Sequence, residues 1–115
     1  MATSILIVDD YAPFREKARS LLQAEGFDVV GEAENGAEAL RIAEEVRPDV
    51  VLLDVQLPDF DGFEVARRLR RLEPAPEVIL TSSRDDYRQL VDASAARAFV
   101  LKDELSGESL AAALG

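Results

Sequence analysis

Two uninterrupted apolar runs, Ile5-Leu6-Ile7-Val8 and Val50-Val51-Leu52-Leu53, each end abruptly on carboxylates: Asp9-Asp10 after the first and Asp54 after the second. A strand that is apolar at every position, rather than at every second one, suits a sheet buried on both faces, which is the situation of parallel strands covered by crossover helices. The intervening sequence supplies such helices. From Pro13 to Glu25, Phe14, Ala18, Leu21 and Leu22 recur at helical spacing, with Pro near the first turn and Gly26 just past the end. Phe27 to Glu32 reads as a second strand, and Gly36 to Val46 carries Ala39, Leu40 and Ala43 on one helical face before Pro48 stops it. After a loop with Pro58 and Gly62, Val65, Leu69 and Leu72 mark a third helix, closed by Pro74 and Pro76. Val78 to Thr81 is a short strand, residues 85–95 a weaker helix presenting Leu90 and Val91, Ala98 to Leu101 a fifth strand, and Leu105, Leu110 and Leu114 belong to a final helix.

Five strand–helix units with right-handed crossovers are too few to close an eight-unit barrel, so the expected fold is α/β, an open, doubly wound, five-stranded parallel sheet between two helical layers. Residues 1–115 read as a single domain. No apolar stretch approaches the length of a membrane span, and no basic leader precedes the first strand, so a cytoplasmic protein with no membrane association is expected.

In open parallel sheets, ligands bind outside the carboxyl ends of the strands, near the point where strand order reverses. Those ends carry Asp9 and Asp10, Asp54, Thr81 followed by Ser82 and Ser83, and Lys102. In a 2-1-3-4-5 order the first and third strands are neighbours, and the three carboxylates converge. Carboxylates so close oppose one another's ionisation, whereas an octahedral Mg²⁺ accepts one or two of them together with waters and phosphoryl oxygens. Plainer readings stand beside these: Asp9 and Asp10 as helix-capping acids, Asp54 as a turn residue ahead of Pro58 and Asp59, Lys102 as a solvated lysine, and Phe99 as simple core. The basic run Arg67, Arg68, Arg70 and Arg71 reads as a solvated helix face.

Composition narrows the chemistry. The chain contains no Cys and no His, which removes disulfides, Cys/His zinc sites, thiol catalysis and His-based triads. A formal net charge of -10 repels phosphate backbones, so no nucleic acid is expected to bind this domain.

Taken in order, ILIVDD at 5–10, VVLLDVQLPDFDG at 50–62, VILTSS at 78–83 and AFVLKD at 98–103 resemble the receiver domain of two-component response regulators, the CheY-like superfamily with a flavodoxin-like three-layer sandwich. The resemblance spans essentially the whole chain. It implies that Asp54 is the phosphoacceptor, that Asp9, Asp10, Asp54 and the Gln56 backbone carbonyl organise Mg²⁺, that Lys102 and Thr81 serve the transferred phosphoryl group, and that Thr81 and Phe99 form the switch. Because the chain has no histidine, the phosphoryl group is expected from a histidine kinase, a histidine phosphotransfer protein or a small phosphodonor. The chain is then no enzyme beyond its own phosphoryl transfer and dephosphorylation. Its output is expected through a partner protein, or a homodimer, on the surface of the fourth helix, fifth strand and fifth helix, with Tyr87, Leu90, Phe99, Val100 and Asp103. Two alternatives stand: a phosphorylation-independent scaffold with the receiver fold, and the receiver half of a longer DNA-binding response regulator. Ala95 and Ala96 replace the Gly-Ala pair common in the family, and the stretch from Thr81 to Lys102 is about one residue shorter than usual.

Overall fold

A computed structural model describes residues 2–84 and 96–114. Strands β1 (Ser4–Val8), β2 (Asp28–Ala33), β3 (Val50–Asp54), β4 (Glu77–Ser82) and β5 (Ala98–Leu101) form one parallel sheet in the order β2-β1-β3-β4-β5. Helices α1 (Ala12–Ala24), α2 (Gly36–Val46), α3 (Gly62–Leu69) and α4 (Gly107–Leu114), with a 3-10 turn at Lys102–Glu104 directly after β5, complete the described elements. The expected helix over 85–95, with Tyr87, Leu90 and Val91, lies outside the described residues.

Strand alternation sorts the apolar runs into two cores. Leu6, Val8, Val51, Leu53, Val78, Leu80 and Phe99 face one side, where Ala39 and Ala43 of α2 and Val65, Ala66 and Leu69 of α3 cover them. Ile5, Ile7, Val50, Leu52, Ile79 and Val100 face the other, packed with Phe14, Ala18 and Leu22 of α1 and Leu110 of α4. That two-sided burial is why β1 and β3 contain no polar residue between their first position and their carboxyl end.

Helix ends follow their capping chemistry. At the end of α1, Gly26 takes φ +93° while its N–H donates to the Gln23 carbonyl and the Phe27 N–H to that of Leu22, the Schellman pattern that glycine permits. At α2, Arg47 turns left-handed (φ 47°) directly before Pro48, whose ring disfavours a helical residue ahead of it.

Two leucines assigned to helices from spacing lie outside them. Leu72 follows the end of α3, in a turn where its N–H donates to the Leu69 carbonyl, and still packs on the core. Leu105 precedes α4 because Ser106 and Ser109 exchange amide-to-hydroxyl hydrogen bonds of 2.9 Å each, setting the helix start at Gly107. Leu105 and Leu110 then occupy the positions of a hydrophobic staple, in the same buried cluster.

Leu22 is completely buried in the α1-side core, whereas Val46, at the end of α2, is 40% exposed. Leu22→Ala is expected to cost about 2–5 kcal/mol, and Val46→Ala within about 0.5 kcal/mol of nothing. Urea unfolding checks both: the first variant lowers the midpoint at an unchanged slope, and the second leaves it in place.

Candidate functional site

Ile7, Leu52, Ile79 and Val100 all point into the α1-side core. Two residues further along each chain segment, the same alternation brings Asp9, Asp54, Thr81 and Lys102 to one side of the sheet's carboxyl edge. Register completes the grouping, since Val8 pairs with Leu53, Asp54 with Thr81, and Thr81 with Val100. Oxygens of the Asp9, Asp10 and Asp54 carboxylates lie within 4.8 Å of one another, with Asp9 and Asp54 buried and Asp10 exposed.

Asp9 and Asp54 are held in the same way. Asp9 Oδ1 accepts from the Tyr11 amide at 2.8 Å, and Asp54 Oδ1 from the Gln56 amide at 3.1 Å, each two residues ahead. Both second oxygens turn to Lys102, whose Nζ is 2.6 Å from Asp9 Oδ2 and 3.3 Å from Asp54 Oδ2. The ammonium also lies 4.9 Å from the centre of the Phe14 ring, within cation–π range. Burial alone would push Lys102 down, but its hydrogen bond to Asp9 and the charges of Asp54 and Asp9 outweigh it and hold the ammonium above its ordinary value.

Burial, and then the charge of Asp9, raise the Asp54 carboxyl to about 6, against the opposing pull of Lys102 and the Gln56 amide. Three carboxylates against one ammonium leave the cluster with excess negative charge, and its donors are all hard oxygens. Those two properties fit a small divalent cation.

Thr81 is fully buried, and among the described residues its hydroxyl has no hydrogen-bond partner. The neighbouring hydroxyls are differently placed. Ser82 pairs in register with Leu101 and accepts from the Arg84 amide through Oγ, while Ser83 is exposed at the rim of the cleft over α1. Phe99 is buried on the α2/α3 side, in register with Leu80 and therefore next to Thr81's level of the sheet.

The segment from Val55 to Gly62 is closed at its base. The Gly62 amide donates to the Val55 carbonyl at 2.6 Å, and Gln56 bridges to Asp61. A Cβ on Gly62 would stand 2.5 Å from the Asp54 carbonyl oxygen and 2.7 Å from Val55 Cα, both backbone atoms, so only glycine fits. Asp61 accepts from the Glu64 amide and starts α3. Glu64 in turn pairs with Arg67 and Arg68, so two of the four arginines in the basic run share one carboxylate on their own helix.

Some supports were not legible as such in the sequence. Arg15 of α1 donates to the Asp9 carbonyl at 2.6 Å and to Glu32 at 3.1 Å, tying the first acid to β2. Asp59, read above as turn chemistry, accepts from the Gly36 and Ala37 amides at the start of α2. The pairing Asn35-Gly36 announces a helix start, but only the tertiary fold shows that a second residue, the acid Asp59 more than twenty positions later, completes its cap.

The family model for the response regulator receiver domain matches residues 5–114. A putative transcriptional regulator of Pseudomonas aeruginosa is 38% identical over 113 residues, covering 96% of this chain and 55% of that protein. The chemotaxis protein CheY of Listeria monocytogenes is 37% identical over 100 residues, covering 85% of this chain and 84% of that one. Among solved structures, the signal receiver domain of the putative response regulator NarL from Mycobacterium tuberculosis superposes with a TM-score of 0.85 at 35% identity, over 99% of this chain and 98% of that chain. The chain spans about half the length of the transcriptional regulators it matches, 55% in Pseudomonas aeruginosa and 49% for YdfI of Bacillus subtilis.

The raised Asp54 carboxyl has a stability consequence. Its folded value, about 6, lies above the ordinary 3.8, so the folded state binds the proton more tightly and its ionised Asp54 is a destabilising element above that window. Asp54→Asn is therefore expected to stabilise the metal-free protein near neutral pH by on the order of 2 kcal/mol, the advantage shrinking as pH falls from about 6 to about 4. Urea titrations of both proteins across that range check it; a constant difference would contradict the assignment.

Proposed function

This chain belongs to the response regulator receiver family of two-component signalling, and we propose that it accepts a phosphoryl group on Asp54 and thereby switches a protein-interaction surface. The observation that carries this reading is the shared Lys102 ammonium between Asp9 and Asp54, with the unpaired Thr81 hydroxyl in the adjacent register position. Asp54 is ionised near neutral pH, and an oxygen of its carboxylate attacks phosphorus. The P–N bond of a phosphohistidine breaks, and its electron pair returns to the imidazole nitrogen. Lys102 meets the charge spread over the equatorial oxygens of a loose transition state, and the Thr81 hydroxyl supplies a donor to a phosphoryl oxygen once it is on Asp54. Asp9, Asp10, Asp54 and the Gln56 backbone carbonyl would hold Mg²⁺, which when bound would supply neutralising charge for the phosphoryl oxygens. The chemistry is confined to the domain's own phosphorylation and dephosphorylation.

Residues 1–115 act in this reading as one receiver domain of a cytoplasmic protein, phosphorylated by a histidine kinase or a histidine phosphotransfer protein. A hydroxyl drawn toward Asp54 shifts β4 beside its Leu80–Phe99 pairing, and Phe99, on the opposite face of the sheet, changes its packing and with it the surface formed by β5 and α4. Asp103 is exposed on that surface, whereas Val100, expected there from the sequence, is buried in the α1-side core; a partner protein or a second copy of the chain is the surface's occupant. Among the described residues no helix is long and apolar enough to cross a membrane. The coverage of transcriptional regulators over about half their length supports a second reading, in which the output is a DNA-binding domain following this one. The mass of the protein isolated from its own cells distinguishes a chain of this length from one about twice as long.

Incubation with Mg²⁺ and acetyl phosphate, followed by intact-protein mass measurement, is expected to add one phosphoryl group to the native chain and none to Asp54→Asn or to a sample with the metal chelated. Lys102→Ala is expected to lower the rate at least tenfold, as loss of an electrostatic contact to the transferring group does. Absence of modification both from acetyl phosphate and from a phosphohistidine donor would overturn the proposal in favour of a scaffold that keeps the fold alone.

A further inference from the structure

Between Asp54 and α3 the chain makes a loop whose base is closed by the Gly62–Val55 hydrogen bond, and whose tip leans on another helix. Asp59 at that tip places Oδ1 at 2.7 Å from the Gly36 amide and Oδ2 at 2.9 Å from the Ala37 amide, while Oδ1 also accepts from the Phe60 amide at 2.9 Å. Gly36 and Ala37 are the first two residues of α2, and their amides have no partner within the helix. The third amide, that of Glu38, is taken locally by Asn35 at 2.8 Å. The cap of α2 is therefore divided between a local residue and one from the loop that leaves Asp54.

The packing around this contact is built for it. A Cβ on Gly36 would stand 2.6 Å from the Phe60 ring and 3.1 Å from Asp59 Oδ1, so a side chain there would displace the loop tip. Arg68 of α3 lies 4.4 Å from the centre of the same ring on its way to Glu64. The tip is thus held by α2 in front and α3 behind, and Gln56 lies between it and the base.

We propose that Asp59 is a positioning residue: by clamping the loop tip to the start of α2, it fixes the Gln56 backbone carbonyl where it joins the Asp9, Asp10 and Asp54 carboxylates around a divalent cation. The inference rests on the metal-binding reading of the site given above. A carboxylate that only capped α2 would affect stability, as Asn35 does, without reaching the cation. A carboxylate that fixes the loop acts on both, because partners behind a metal ligand typically govern 10–100-fold of the affinity.

The test compares Asp59→Ala, Asp59→Asn and Asn35→Ala with the native chain, at a temperature where urea curves show all four folded. Mn²⁺ affinity is read by electron paramagnetic resonance, and amide hydrogen exchange by NMR without metal. Asp59→Ala is expected to weaken Mn²⁺ binding about tenfold and to speed exchange at Gln56 and Gly62. Asp59→Asn recovers part of both, since its single carbonyl oxygen still accepts one amide. Asn35→Ala lowers stability yet leaves affinity and loop exchange at native values. Native affinity in Asp59→Ala, or equal losses in Asp59→Ala and Asn35→Ala, would overturn the proposal. If the native chain itself binds no Mn²⁺, the metal reading fails with it, and unchanged exchange in Asp59→Ala would show separately that the clamp does not hold the loop.

Discussion

One ammonium shared by two buried carboxylates governs the carboxyl edge of this sheet. Asp9 is completely buried and Asp54 nearly so, and a buried carboxylate without a partner costs several kcal/mol. Lys102, 2.6 Å from one and 3.3 Å from the other, makes that burial tolerable but does not complete it, because a single positive charge faces two negative ones with Asp10 at the mouth. The more distant acid carries the deficit: Asp54 is raised to about 6, with burial first and the Asp9 charge second among the causes. With that value it remains largely a carboxylate near neutral pH while holding an unmet demand for positive charge, the state that the proposed nucleophile role would use.

The ammonium reaches both acids only because of the order of the strands. Asp54 and Lys102 are 48 residues apart, and they meet because β3, β4 and β5 are consecutive in the sheet and β1 lies on the other side of β3. Since side chains alternate with a period of two, a one-residue slip in any of these strands would send its terminal group to the opposite face. Two-sided apolar cores forbid such a slip: Leu52 and Leu53 have each a different core to enter, and exchanging them would strand Asp54 under α2 and α3. The stability of the sheet and the geometry of the site are in this sense one property.

What was legible follows the same division. The unbroken apolar runs gave the parallel sheet, and their terminal carboxylates gave the acidic cluster, because both signals are local in sequence and strong. Helix limits were less legible where tertiary contacts set them. Leu105 has helical spacing to Leu110, yet the reciprocal serine cap at Ser106 and Ser109 leaves it outside the helix as the staple. Thr81, Ser82 and Ser83 are three consecutive hydroxyls of which strand length favours Thr81; pairing with Asp54 and, among the described residues, the absence of a hydrogen-bond partner set it apart from the other two. Asp59 was least legible of all, since its two amide partners lie in a helix start 22 and 23 residues away.

The contrast between that loop and Thr81 bears on how the domain can change state. The loop from Val55 to Gly62 is held at three points: its base by a backbone hydrogen bond, its tip by three amides, its exit by the Asp61 cap. A buried hydroxyl without a partner is the opposite arrangement, costing about 1–3 kcal/mol that any new acceptor nearby would recover. On the function proposed above, an anionic group on Asp54 would find the loop already fixed and the hydroxyl in want of a bond, and the response would run toward β4 and β5 rather than back into β3. On that reading the part that binds and the part that moves are separate, although both meet at the same carboxylate.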